Sequence, residues 1–234
     1  MTSRIIAGAS GYSFKEWIGP FYPEKTKAAD MFAFYSARLP TVEINNTFYQ
    51  MPKTAMLENW AKLAPGDFRF SIKASRRITH FARLKPECAE NLVFLYKQLE
   101  ALGDKRGPVL FQLPPNLKYD LPRLKNFLAM LPANHRAAFE FRNPDWFTDD
   151  TYAALKEAGA STCFSEREDG SAPALTETAP WGYVRLRLET YTDADLAQWA
   201  KRLEQTGWEA IYVYFMHEPT APGYAATLMK AASA

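Results

Sequence analysis

Eight short apolar runs, rich in β-branched and aromatic residues, recur along the chain, and most of them stop on polar or charged side chains. They occupy residues 4–10, 41–46, 68–73, 109–113, 137–142, 161–165, 183–187 and 211–218. Runs of this length and composition predict strands, and their polar ends (Asn, Lys, Gln, Arg, Glu) predict a functional rim at one edge of the sheet. Between them the period changes to that of helices. Pro86 opens a segment in which Leu92, Leu95, Tyr96, Leu99 and Leu102 recur three and four apart until Gly103 closes it. Thr192, with Asp195 three residues on, caps a helix carrying Leu196, Trp199, Ala200 and Leu203 on one face and ending at Gly207. Thr148 caps residues 149–158 before Gly159, and Asp120 with Pro122 starts a helix through Leu131. Shorter helices are expected at 30–39, 54–63 and 224–232.

Strands alternating with helices call for right-handed βαβ units and a parallel sheet. An open dinucleotide-binding sheet would carry GxGxxG after its first strand. Here that stretch is Gly8-Ala9-Ser10-Gly11-Tyr12-Ser13, without the third glycine, and no phosphate-binding P-loop follows elsewhere. The expected fold is therefore α/β: a single (β/α)8 TIM-like barrel of parallel strands over residues 1–234, with a polar site at its C-terminal face. No cofactor and no resident metal are expected.

Composition narrows the setting. With 234 residues, 47 % hydrophobic and 15 % aromatic, the chain can bury one substantial core. A net charge of +2 is far from the basic balance of a dedicated nucleic-acid binder, although Lys73, Arg76, Arg77, Arg83 and Lys85 fall close together. No stretch approaches the roughly 20 apolar residues of a membrane span. The first residues lead straight into a strand, and Cys88 and Cys163 have no CxxC or disulfide-framework spacing. Two buried, reduced thiols in a cytoplasmic protein are expected, with no membrane partner.

Residue parity along a strand assigns facing. Glu43 shares a face with Asn45, Lys73 with Ser71, Gln112 with Leu110, Glu140 with Arg142, and Arg185 with Arg187. If these point inward, the mouth collects two carboxylates, an amide pair and at least three cations. Arg76, Arg77 and His80 follow the third strand, His217 and Glu218 end the eighth, and Tyr49, Trp17 and Trp146 are candidate pocket walls. His135, next to Asn134, reads as an exposed loop residue. A plainer reading is also open: Glu43 and Glu140 as ion-pair partners of Lys73 or Arg142, holding the barrel together.

Several longer motifs resemble the YecE-like family, domain of unknown function 72. They are GASGYSF at 8–14, TVEINNTFY at 41–49, FSIKASRRITH at 70–80, GPVLFQLPP at 107–115, FEFRNPDWF at 139–147 and YVRLR at 183–187. The resemblance runs nearly end to end and implies a TIM-like barrel without a settled reaction. It implies signature positions at Glu43, Asn45, Tyr49, Lys73, Thr79, His80, Gln112, Glu140, Arg142 and Trp146. Two places depart from the family pattern: Arg187-Leu188 stands where many relatives have His-Gly, and Met216-His217-Glu218 replaces Asn-Asn-Asp.

Three functions follow as expectations. The favoured one is an anionic small-molecule ligand, phosphorylated or carboxylated, held by Lys73, Arg76, Arg142 and Arg185. Asn45, Tyr49, Arg77, His80, Gln112, Trp146 and His217 complete the binding set. Catalysis, if present, rests on Glu43 or Glu140 as general base, on the two as a glycosidase pair, or on Lys73 as a Schiff-base amine. A second reading is a nuclease or nucleic-acid binder using Mg²⁺ or Mn²⁺ on Glu43, Glu140 and Glu218. A third is a ligand-binding or scaffold barrel without turnover.

Overall fold

The computed structural model describes residues 3–167, 169–216 and 219–233. Eight strands close into an all-parallel barrel in sequence order: β1 (Arg4–Ala9), β2 (Thr41–Ile44), β3 (Arg69–Lys73), β4 (Arg106–Gln112), β5 (Ala137–Glu140), β6 (Ser161–Ser165), β7 (Trp181–Leu186) and β8 (Ala210–Phe215). The helices are α1 (Ala28–Ser36), α2 (Thr54–Leu63), α3 (Ala89–Leu99), α4 (Leu121–Ala129), α5 (Asp149–Glu157), α6 (Asp193–Glu204) and α7 (Ala221–Ala231). Several caps follow the sequence: Asp120, Thr148 and Thr192 each accept from the backbone N–H three residues on, and Thr192 with Asp195 forms a full capping box. The segment from Pro86 is more broken than its spacing predicts. It runs as a 3-10 turn, then α3, then a second 3-10 stretch in which Gly103 takes φ 53°.

Each strand buries both faces, as parallel sheets covered by helices do. Outward residues such as Val42, Phe70, Ile72, Phe111, Phe139, Val184 and Phe215 join the core beneath the helices. Inward residues form a separate cluster of Ile6, Leu110, Ala138, Cys163, Trp181, Tyr183, Tyr212 and Tyr214. Cys163 and Cys88 are both free and buried.

The contact between β1 and β2 is short, with only Gly8 opposite Thr41 and Ala9 opposite Val42 in register. A Cβ on Gly8 would sit 2.1 Å from the Thr41 carbonyl oxygen, so a side chain there would force the strands apart. Tyr35 of α1 staples the same seam: its hydroxyl accepts from Ala9 N at 2.8 Å and donates to the Thr41 carbonyl at 2.8 Å.

Between β6 and β7 the described residues form no α-helix. Thr178 fills part of that role, accepting from Thr162 N at 2.8 Å and donating to the Ala160 carbonyl at 2.8 Å. The outer face of β6 is covered from the side by α6. Phe164 meets Trp199 with ring centroids 5.4 Å apart, and the Arg202 guanidinium lies 4.7 Å over the Trp199 ring. No helix is long and apolar enough among the described residues to cross a membrane.

Candidate functional site

The C-terminal ends of β2, β5 and β7 deliver three ionisable side chains to the centre of the barrel. Glu43, Glu140 and Arg185 are each at most 2 % exposed. Arg185 donates from one terminal nitrogen to Glu140 at 2.6 Å and from the other to Glu43 at 2.9 Å. All four carboxylate oxygens are engaged. Glu43 also accepts from Ser10 at 2.6 Å, Asn45 at 3.1 Å and the Tyr183 hydroxyl at 2.8 Å. Glu140 also accepts from Gln112 at 2.9 Å and from Arg142 Nε at 3.2 Å. Below this layer the Tyr214 hydroxyl is hydrogen-bonded to Thr41 at 2.8 Å and Ser71 at 2.5 Å.

Burial alone would raise both carboxylic acids. The Arg185 charge and the converging donors overcome it, so Glu43 lies below the ordinary glutamate value, and Glu140, with Arg142 added, falls to about 2. Both are fixed anions at neutral pH. Tyr183 is pushed well up by burial and then by Glu43, which keeps it a neutral donor. The Cys163 thiol is likewise raised well above its ordinary value by burial, then by Glu140.

Lys73 at the end of β3 behaves differently. Among the described residues it forms no ion pair; its ammonium lies 4.6 Å from the centre of the Phe48 ring. Burial, then the Arg185 charge, lowers it to about 8 against the opposing pull of Glu43 and Glu140. His80, whose Nδ1 lies 2.9 Å from the Thr79 hydroxyl, is lowered by burial and then by Lys73.

The remaining expected residues separate into three groups. Asn45, Gln112 and Arg142 join the central network, and the Arg142 side chain is 38 % exposed. Arg76, Arg77 and Tyr49 lie on the outer rim: Tyr49 is 68 % exposed, and the Arg76 guanidinium stands 5.4 Å from the Tyr49 ring and 5.3 Å from that of Phe81. Trp146 and Trp17 are not pocket walls. Trp146 is wholly buried, stacks on Phe141 and donates from Nε1 to the Leu117 carbonyl at 2.8 Å; Trp17 packs with Tyr22 and Tyr35. Both follow polar loops in the chain, yet their size draws them into the core beneath the helices. His217 and Glu218 lie outside the described residues.

Strand parity places Glu43, Asn45, Lys73, Gln112, Glu140 and Arg185 on the inner side, where the structure has them; Arg142 lies beyond the end of β5, reaches Glu140 with Nε and is otherwise exposed. The same parity would have found Tyr183, two residues before Arg185. It could not have found Glu166, which follows β6, is 6 % exposed, and accepts from the Arg187 backbone N–H at 3.1 Å and from the Tyr191 hydroxyl. A cavity of about 520 Å³ opens beside the network over β5, β6 and β7, with Glu140, Arg142, Ser165, Glu166, Arg167 and Arg187 in its wall. No metal is needed to hold Glu43 and Glu140 together, because Arg185 occupies the space between them.

Comparison with known proteins places these features in a group. A family model described as "Protein of unknown function DUF72" matches residues 6–234. The chain is 31 % identical to UPF0759 protein YecE of Escherichia coli K12 in a match covering 48 % of this chain and 42 % of that protein, so it spans less than half of that relative's length. UPF0759 protein YunF of Bacillus subtilis is 26 % identical, with 95 % and 91 % covered. A DUF72 family protein from Enterococcus faecalis superposes with TM-score 0.80 at 16 % identity, covering 98 % of this chain and 96 % of that one. Another from Thermotoga maritima gives 0.76 at 23 % identity, with 98 % of each covered. At these identities the two structures share the fold.

Proposed function

We propose, from the premise that the chain belongs to the DUF72 family, that its barrel mouth binds an anionic small molecule through Arg142 and Lys73. The observation that carries this reading is the charge arrangement of the mouth. Both terminal nitrogens of Arg185 are paired, one with Glu140 and one with Glu43, and the side chain is buried beyond a ligand's reach. Arg142 and Lys73 are the remaining cations, the first half-solvated and held to Glu140 only through Nε, the second without a carboxylate partner among the described residues. A phosphate or carboxylate would complete them: Arg142 offers a planar fork, Lys73 a compact charge. The neighbouring cavity is of small-molecule size.

If the ligand is transformed, Lys73 is the group for proton transfer or carbonyl capture, because burial and the Arg185 charge lower its amine to about 8 while both carboxylates are held as anions by their donors. Glu43 and Glu140 then act as the electrostatic frame that positions Arg185 and Arg142, in place of the general bases that the strand-end pattern suggests.

The test is a thermal-shift and calorimetric screen of phosphorylated and carboxylated metabolites against the wild type, Arg142→Met and Lys73→Met. A ligand that stabilises the wild type and loses at least about tenfold in affinity in each variant upholds the reading. Binding indifferent to both substitutions, or no anion bound at all, overturns it.

A further inference from the structure

We propose that the opposite, N-terminal end of the barrel is a second anion site, in which Arg4, Arg69, Arg106 and Arg136 hold a compact multivalent anion such as a diphosphate group. Nothing in the mouth accounts for these residues. Arg4, Arg69 and Arg106 are the first residues of β1, β3 and β4, and Arg136 immediately precedes β5. Arg4, Arg69 and Arg136 each stand two positions before an inward residue (Ile6, Ser71 and Ala138), so they continue the interior face past the barrel floor. Arg106 is opposite Phe70 in register, one strand over from Arg69, and the Arg136 carbonyl accepts from Val109 N of β4. Three arginines therefore sit on consecutive strands, with the fourth contributed by β1.

Together they line one cavity of about 350 Å³ floored by Ile6 and Tyr212. Two carboxylates, Asp67 and Glu209, also reach its wall, yet none of the four arginines forms an ion pair among the described residues. Arg136 is held in place by the Tyr212 hydroxyl at 2.8 Å and lies 5.7 Å over the Trp181 and Tyr212 rings. Arg69 donates to the Gly66 and Phe68 carbonyls at 3.3 and 2.9 Å. The guanidinium groups of Arg4 and Arg106 donate to no protein acceptor among the described residues. Four forks around an aromatic floor repel one another and leave donors to spare, and an anion with several oxygens satisfies both conditions. The layer of Leu110, Ala138, Cys163, Tyr183 and Tyr214 separates this end from Arg185 and Lys73, so the two sites are independent.

Titration calorimetry with inorganic pyrophosphate at low ionic strength tests the proposal in the Lys73→Met/Arg142→Met background, where the mouth cations are gone. One equivalent should bind, weaken as salt is added, and lose at least about tenfold in affinity when Arg4→Gln and Arg106→Gln are introduced. No binding in that background, or binding unaffected by the two arginine substitutions, overturns the proposal. The same background separates this site from the mouth: loss of binding there alone speaks to the mouth, loss on changing Arg4 and Arg106 to the floor. Should the combined variant fail to fold, phenylglyoxal labelling of the wild type decides. Pyrophosphate should protect Arg4 and Arg106 from modification, and unchanged labelling of both refutes the site.

Discussion

At the scale of the residue, Arg185 is the side chain on which the centre depends. It is buried between two buried carboxylates, so removing it leaves Glu43 and Glu140 facing each other without their main counter-charge. Arg185→Met is expected to destabilise the protein by about 3–5 kcal/mol, read by urea unfolding, the range for breaking a buried pair from one side. Arg142→Met should change stability by no more than about 1 kcal/mol, because its partly solvated guanidinium makes the weaker kind of ion pair. If the two variants unfold alike, the division between frame and ligand-binding cation is wrong. Lys73 supplies a pH signature. With its amine at about 8, anion affinity should be greatest below that value and fall as pH rises through it, since the neutral amine no longer attracts the ligand. A flat affinity profile between pH 7 and 9 would remove Lys73 from the site.

At the scale of the element, caps and connections were legible to different degrees. The Thr192–Asp195 box could be read directly, and Thr192→Ala should cost about 1 kcal/mol of stability by thermal unfolding. Strand positions were legible because a covered parallel strand is apolar on its outer face, and inner-face parity then carried Glu43, Lys73, Glu140 and Arg185 to the mouth. What parity cannot supply is the partner. Arg185 and Glu43 are 142 positions apart, and their pairing follows from barrel closure, which no local pattern encodes. Trp146 shows the converse failure: a motif beside the site reads as a site residue, whereas packing decides its position. The passage between β6 and β7, which forms no α-helix among its described residues, fits its Gly-, Pro- and acid-containing sequence, which has no apolar period. Amide exchange at residues 171–177 should therefore outpace that of the flanking strands, and equal protection would contradict the passage's lack of regular pairing.

At the scale of the whole molecule, the interior is charged at the mouth, aromatic in the middle and basic at the floor. The mouth makes stability pH-dependent with a definite sign. Glu140 is held at about 2 against an ordinary 4.5, and Glu43 is lowered as well, so their contribution is complete above about 4.5 and is lost as pH falls from there towards 2. Urea midpoints should decline steeply across that window in the wild type and more shallowly in Glu140→Gln. Parallel declines would mean that the carboxylates are not linked to folding.

The staple formed by Arg185 also decides how the chain can be divided. Glu43 belongs to the first four strands and its counter-ion to the last four, so neither half is electrically self-sufficient at its centre. A chain cut near Asn134, between α4 and β5, gives one fragment whose Glu43 has lost the arginine it is ion-paired with, and another whose arginine has lost one of its two carboxylates. Each alone is expected to remain open and aggregation-prone, and the two mixed together to reassemble into one barrel. The molecule would then descend, in its present form, as an indivisible unit: swapping either half for that of a distant relative works only if the incoming half supplies the glutamate or the arginine that the retained half needs.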